Sequence, residues 1–356
     1  RKNVFLNCDA KVVGFFEICN IFAKKIFEMD KIIGLGNALV DVLATLEDDT
    51  LLEEMGLPKG SMQLIGKDTL LKIQDLFSRM KTHCATGGSA GNTISALAHL
   101  GAAPGFIGKI GTDGYGMFFR KHLQQMKVET RLLECALPSG IASTFISPDG
   151  ERTFGTYLGA ASTLQAEELM PEMFAGYSYL YVEGYLLQNH ELIERAMRLA
   201  KEAGLQVCLD MASYNIVEAG RDFFDHLIAQ YVDVVFANES EARAYTGKEP
   251  HEALEEIASQ CSIAIVKIGK EGSLIRKGTQ CLQAAPVTVT NVVDTTGAGD
   301  FYAAGFLYGL TNGYSLEKCA RIATILSSHV IQVVGTELSE TKWDEIKLNI
   351  DTVLQA

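Results

Sequence analysis

The chain has 356 residues, 47% of them hydrophobic and 21% charged, which excludes a disordered polymer and allows a large buried core. Its formal net charge is −13, from 31 Lys+Arg against 44 Asp+Glu, and no dense Lys/Arg block occurs, so the basic face of a nucleic-acid binder is missing. No uncharged apolar run reaches the roughly 18 residues of a membrane span.

The segment over residues 1–28 mixes apolar patches with Glu17, Asn20 and Lys24–Lys25. It has neither a continuous apolar region nor a small-residue cleavage site, so it reads as an extension outside a fold that starts at Met29, not as a signal peptide. The eight cysteines include no C-x-x-C pair and no zinc-finger spacing. Several sit in apolar runs such as Val207–Cys208–Leu209, as buried reduced thiols do, and this usage suits a reducing cytoplasm.

From Lys31 strands and helices alternate. Ile32–Ile33 opens a strand; Leu70–Met80 and Thr93–Leu100 have helical periodicity; Phe106–Ile110 is a short strand; Gly116–Met126 is helical. Leu39–Leu46 and the pair Ile141–Ser147 and Thr153–Tyr157, joined by Pro148–Asp149–Gly150, read as strands of a small lid. The lid strands are expected over about residues 39–66 and 139–160. Tyr179–Val182, Val207–Leu209, Val232–Phe236 and Ile263–Ile268 are continuous apolar runs separated by helical patterns at Glu191–Glu202, Asp222–Gln230 and His251–Ser259. That pattern predicts a parallel sheet buried on both faces. Ser273–Lys277 and Cys281–Ala284 extend it antiparallel, Val287–Val293 reads as a further β run, and three helices follow at Gly299–Leu310, Leu316–Val334 and Glu340–Val353.

The sharpest motif is Asp294–Thr295–Thr296–Gly297–Ala298–Gly299–Asp300 before an apolar helix. Bare backbone at a helix start lets N–H groups converge where the macrodipole is positive, an anion hole suited to a phosphoryl group in transit. Asp300 beside it is placed to take a proton from an attacking hydroxyl; the structural alternative is a helix cap behind a tight turn. Gly34–Leu35–Gly36 lacks the third glycine and the helix of a dinucleotide fingerprint, and Gly66–Lys67 lacks the Ser/Thr and spacing of a Walker A loop. Gly87–Gly88–Ser89–Ala90–Gly91–Asn92 offers bare backbone and two short polar side chains before a helix, a surface for a polyhydroxylated ligand or a capped loop.

Taken in order, the di-glycine loop with Asn92, the stretch Gly111–Thr112–Asp113–Gly114–Tyr115–Gly116 and Asp294 through Asp300 resemble the ribokinase-like (PfkB-type) carbohydrate kinase family from about Lys31 to Ile350. Within it the chain looks most like the adenosine kinases. The resemblance implies a ribokinase-like α/β fold: a central, mostly parallel sheet with helices on both faces and a small β lid. It implies that Asn37, Asp41, Gly88, Ser89 and Asn92 hold the sugar, with Gln63 near the base and Tyr185 stacked on it. Asp300 is then the base and Gly297, Ala298 and Gly299 the anion hole, with Arg152 from the lid on the transferring phosphate. Asn238, Glu241, Lys267, Gly269, Gly272 and Thr296 follow the nucleotide, and Glu241 organises Mg²⁺ through water. Asp294, with carbonyls near Gly335, is where some members hold a monovalent cation such as K⁺.

The expected activity is therefore transfer of phosphate from MgATP to a primary hydroxyl, adenosine being the preferred acceptor. Ribose, fructose, ketodeoxygluconate, inosine and guanosine are the alternative acceptors, and a non-catalytic nucleoside sensor is the alternative from another class. The implied partners are small molecules, with no nucleic acid or membrane, in a monomer or homodimer. The residues Ala160–Gln165 and Ala90–Gly91 depart from the adenosine kinase pattern.

Overall fold

The structure is a computed structural model that describes residues 30–149 and 151–355. The expected extension over residues 1–28 lies outside the described residues, as does Gly150 of the lid turn. The strands are β1 (Ile32–Leu35), β2 (Leu39–Thr45), β3 (Met62–Leu64), β4 (Thr82–Gly87), β5 (Gly105–Gly111), β6 (Glu129–Cys135) and β7 (Gly140–Ile146). They continue as β8 (Arg152–Tyr157), β9 (Tyr179–Glu183), β10 (Gln206–Asp210), β11 (Val234–Asn238), β12 (Ile263–Lys267), β13 (Ser273–Lys277) and β14 (Gln280–Ala284).

Nine of them form one sheet in the order β14-β13-β12-β11-β10-β9-β1-β5-β6. Every pairing from β12 to β6 is parallel, and only β13 and β14 add antiparallel, as their sequence predicts. The central strands are apolar throughout because both faces are covered. Ile32, Tyr181, Cys208, Phe236 and Ile265 point to one face, where they meet helices Ser89–His99, Gly114–Gln125, Ala298–Thr311, Leu316–Val330 and Glu340–Gln355. Their neighbours Ile33, Leu180, Val207, Val235 and Ala264 point to the other, under helices His190–Glu202, Tyr214–Gln230, Glu239–Thr246 and Pro250–Ala258. This is the expected ribokinase-like layering.

The lid is a second sheet in the order β3-β8-β7-β2-β4. β7 and β8 form the expected hairpin, with Ile141 opposite Tyr157, and β2 joins β7 in parallel. Two expected elements are corrected. Val287–Val293 is irregular: Pro286 ahead of it has no N–H for a ladder, and the amides of Val293 and Asp294 donate instead to Ile331 O at 2.8 and 3.2 Å. The helix expected over Leu316–Val334 stops at Val330, where the chain tightens into turns that lead to Gly335 at φ 73°.

Candidate active site

The chemistry gathers at the head of helix Ala298–Thr311. Gly297 caps it at φ 74°, a left-handed conformation that disfavours a β-carbon, and a Cβ there would stand 2.5 Å from Thr336 Cγ2. The Ala298 amide closes the turn onto Thr295 O at 3.2 Å, so it is engaged locally and is not a free member of the expected anion hole. The first-turn amides of Gly299 and Asp300 have no helical carbonyl to bond, and both residues line a cleft of about 900 Å³ with Gly297. Lys267 Nζ would lie 3.2 Å from a Cβ on Gly299, which places its ammonium against this loop.

Asp300 is held from the opposite element. Ser89 Oγ donates to Asp300 Oδ1 at 2.7 Å and Asn92 Nδ2 donates to Oδ2 at 2.8 Å. Thr93 Oγ1 donates to the Asp300 carbonyl at 3.2 Å. Ser89 and Asn92, expected on the sugar, thus grip the carboxylate itself. Burial raises the Asp300 pKa to about 6, opposed by those two donors.

Behind it lies a cluster of buried carboxylates. Glu183 Oε1 accepts from both the amide and the side chain of Asn37, at 2.8 and 2.6 Å, and Oε2 accepts from Ala90 N at 2.9 Å. Asn37 is therefore oriented by Glu183, which also fixes the loop carrying Ser89. Burial lifts Glu183 to about 7 despite those donors. The di-glycine loop is a close approach: at Gly88, φ 83°, a Cβ would stand 2.3 Å from Asn37 O. Asp41 faces the same loop, and burial, then the Asp300 charge, raises it to about 7. Lys267 Nζ donates to Asp210 Oδ2 at 3.1 Å. Burial pulls the ammonium down, but Asp210 and Glu241 hold it above its ordinary range, so it stays charged.

The cleft continues past Asn238, Glu239, Gly269, Gly272 and the exposed Val287 and Val292. Asn238 and Glu241 form a reciprocal helix cap: Glu241 N donates to Asn238 Oδ1 at 2.9 Å, and the amide and side chain of Asn238 donate to Glu241 at 2.7 Å each. Burial raises Glu241 to about 7 against the pull of Lys267. Among the described residues no group of three His, Cys, Asp or Glu side chains is arranged to hold a metal ion. With both Glu241 oxygens already accepting, these residues fit a Mg²⁺ carried by phosphates and water, touched through its water shell and not ligated directly.

A second cavity of about 360 Å³ opens beside Asp41 under the lid. Its walls include Leu43, Thr144, Phe154, Val334 and Leu338, with Arg152 and Thr296, and Thr296 lines both cavities. Three expected placements differ here. Tyr185 lines the larger cleft, its hydroxyl donating to Ala212 O at 3.5 Å; the aromatic side chain in the cavity by Asp41 is Phe154. Gln63 is exposed on β3, the edge of the lid, and donates to Ser61 Oγ at 3.3 Å. The Asp294 carboxylate does not stand free for a cation: it accepts from Thr296 N at 3.0 Å and Gly335 N at 2.8 Å and pairs with the Arg152 guanidinium. Glu183, Asp210 and Phe154 escaped the sequence reading; a lone carboxylate ending each of two apolar strands was the available signal for the first two.

A carboxylate held by helix Ser89–His99 at a glycine-built helix head, in a cleft that shares Thr296 with a second cavity, defines a phosphotransferase of the sugar-kinase type. The chain belongs to the pfkB family of carbohydrate kinases, whose model matches residues 60–343. It is similar to a solved adenosine kinase from Sinorhizobium meliloti, 34% identical, with a TM-score of 0.79 over 90% of this chain and 99% of that one. A probable sugar kinase from Rhizobium etli CFN 42 is 33% identical with the same TM-score, over 90% and 98%. Adenosine kinase 1 of Arabidopsis thaliana is 27% identical over 87% of this chain and 96% of its own. The protein is thus a sugar or nucleoside kinase, and kinases of this family generally use ATP with Mg²⁺.

Proposed function

We propose that the protein phosphorylates the primary hydroxyl of adenosine, giving AMP and ADP. The observation that carries this is the placement of Asp300, whose oxygens are fixed by Ser89 and Asn92 at the edge of the nucleotide-sized cleft. Asp41 beside it opens onto a smaller cavity walled by Leu43, Phe154 and Leu338. A sugar needs the polar side of such a cavity; a purine needs an apolar slot next to it, and an aromatic wall provides one.

In the proposed reaction Asp300 accepts the proton of the primary hydroxyl. That oxygen bonds to the γ-phosphorus of ATP as the bond to the bridging oxygen breaks, and ADP leaves. The amides of Gly297 and Gly299 and the Lys267 ammonium face the charge that moves. Mg²⁺, when bound with ATP, neutralises phosphate charge, and Glu241 with Asn238 would hold its water shell. Glu183 positions Asn37 for the sugar, and the lid excludes water that would compete for the phosphate.

A free sugar is the second reading, supported by the modest 360 Å³ of the acceptor cavity and by the likeness to a probable sugar kinase. A coupled ADP-release assay across adenosine, inosine, guanosine, ribose, fructose and 2-keto-3-deoxygluconate separates the two. The expected result is the highest kcat/KM with adenosine. Turnover confined to free sugars overturns the nucleoside reading, and ligand-induced stabilisation without ADP from any acceptor supports a sensor.

A further inference from the structure

The contact between Arg152 and Asp294 joins three separate pieces of chain. Arg152 lies on lid strand β8, Asp294 begins the glycine loop, and Gly335, whose amide donates to Asp294 Oδ2 at 2.8 Å, belongs to the turn after helix Leu316–Val330. Both partners are withdrawn from solvent, their side chains 11% and 7% exposed. A carboxylate that buried is held charged by a cationic partner or an ion, or else takes up a proton. Here the guanidinium does it, while Thr296 N, donating to Oδ1 at 3.0 Å, satisfies the other oxygen. A guanidinium carries a permanent charge and donors only, so a metal cation brought to the same carboxylate would meet like charge and compete with donors already on both oxygens.

We infer that Arg152 is the built-in counter-cation of Asp294, so that the lid itself charges and orders the phosphate-transfer loop and no monovalent cation is needed. This rests on reading the loop as the transfer site, but not on which acceptor is used. It makes Arg152 a positioning residue: through Asp294 it fixes Thr296 and the approach to Gly297. It also couples the lid to catalysis, because withdrawing β8 would leave Asp294 buried without its partner. The resemblance to kinases that place an ion at this carboxylate would predict the opposite behaviour.

The test compares KCl with tetramethylammonium chloride at equal ionic strength, reading melting temperature and ADP release on the full chain. For the unmodified protein, kcat is expected to agree within about twofold between the two salts and the melting temperature to coincide. Arg152→Gln is expected to lower kcat by about tenfold or more and to become responsive to K⁺ in both readouts. Asp294→Asn is expected to show no K⁺ response. K⁺-specific activation or stabilisation of the unmodified protein overturns the inference. So does a folded Arg152→Gln protein that stays indifferent to K⁺. If no acceptor is turned over, the melting temperatures alone still decide, so failure of the functional reading and failure of this one are distinguishable.

Discussion

The two sides of the transfer site are built by different means. In the proposed reaction the phosphate side is a single run, Asp294–Asp300, which sets free amides and the Asp300 carboxylate at a helix head. The proposed acceptor side is a cavity assembled from β2, β4, β7, β8 and the turn near Gly335, and on that reading its selectivity would lie in side chains such as Leu43, Phe154 and Leu338. On this reading the contiguous loop, common to every acceptor, would specify the reaction, and the cavity, made of exchangeable side chains, would specify the molecule. Mutations should therefore separate turnover from acceptor choice.

The largest effect is expected for Asp300→Asn, which keeps the shape and the Ser89 and Asn92 contacts but removes the proton acceptor. Turnover should fall by about 10²- to 10⁴-fold with every acceptor, while ligand-induced shifts in melting temperature persist. Retained turnover would show that another group takes the proton. Phe154→Ala should break only the other side: KM for a nucleoside rises about ten- to hundredfold, and KM for ATP stays. An equal loss with ribose would mean that Phe154 supports the lid and does not face a base. Gln63→Ala, on the exposed lid edge, should stay within about 0.5 kcal/mol of the parent in both stability and acceptor binding. A selective rise in nucleoside KM would show that the lid edge folds over the acceptor.

The same division explains what was legible in the sequence. The parallel core was legible because Tyr179–Val182 or Ile263–Ile268 are apolar on both faces, and the transfer loop because its seven residues are contiguous. β4 and β6 were not, since Thr82–Gly87 and Glu129–Cys135 are sheet edges that carry polar or charged residues. Val287–Val293 misled because β-branched composition reports burial or a cleft wall as readily as a ladder. Tyr185 follows the end of an apolar strand and Phe154 lies within lid strand β8, and only the folded packing shows which cavity each one lines. The Arg152–Asp294 pair spans 142 positions, which no local pattern could reveal.

The most direct test of Asp300 as the proton acceptor is the pH dependence of kcat/KM for the acceptor, in the parent and in Ser89→Ala. Burial holds Asp300 near 6, so activity should rise with pH as that carboxyl ionises and then level off. Ser89 donates to Oδ1 and lowers this pKa, so its removal should move the rising limb to higher pH. A profile flat through that range, or a limb that stays in place in Ser89→Ala, would contradict the assignment.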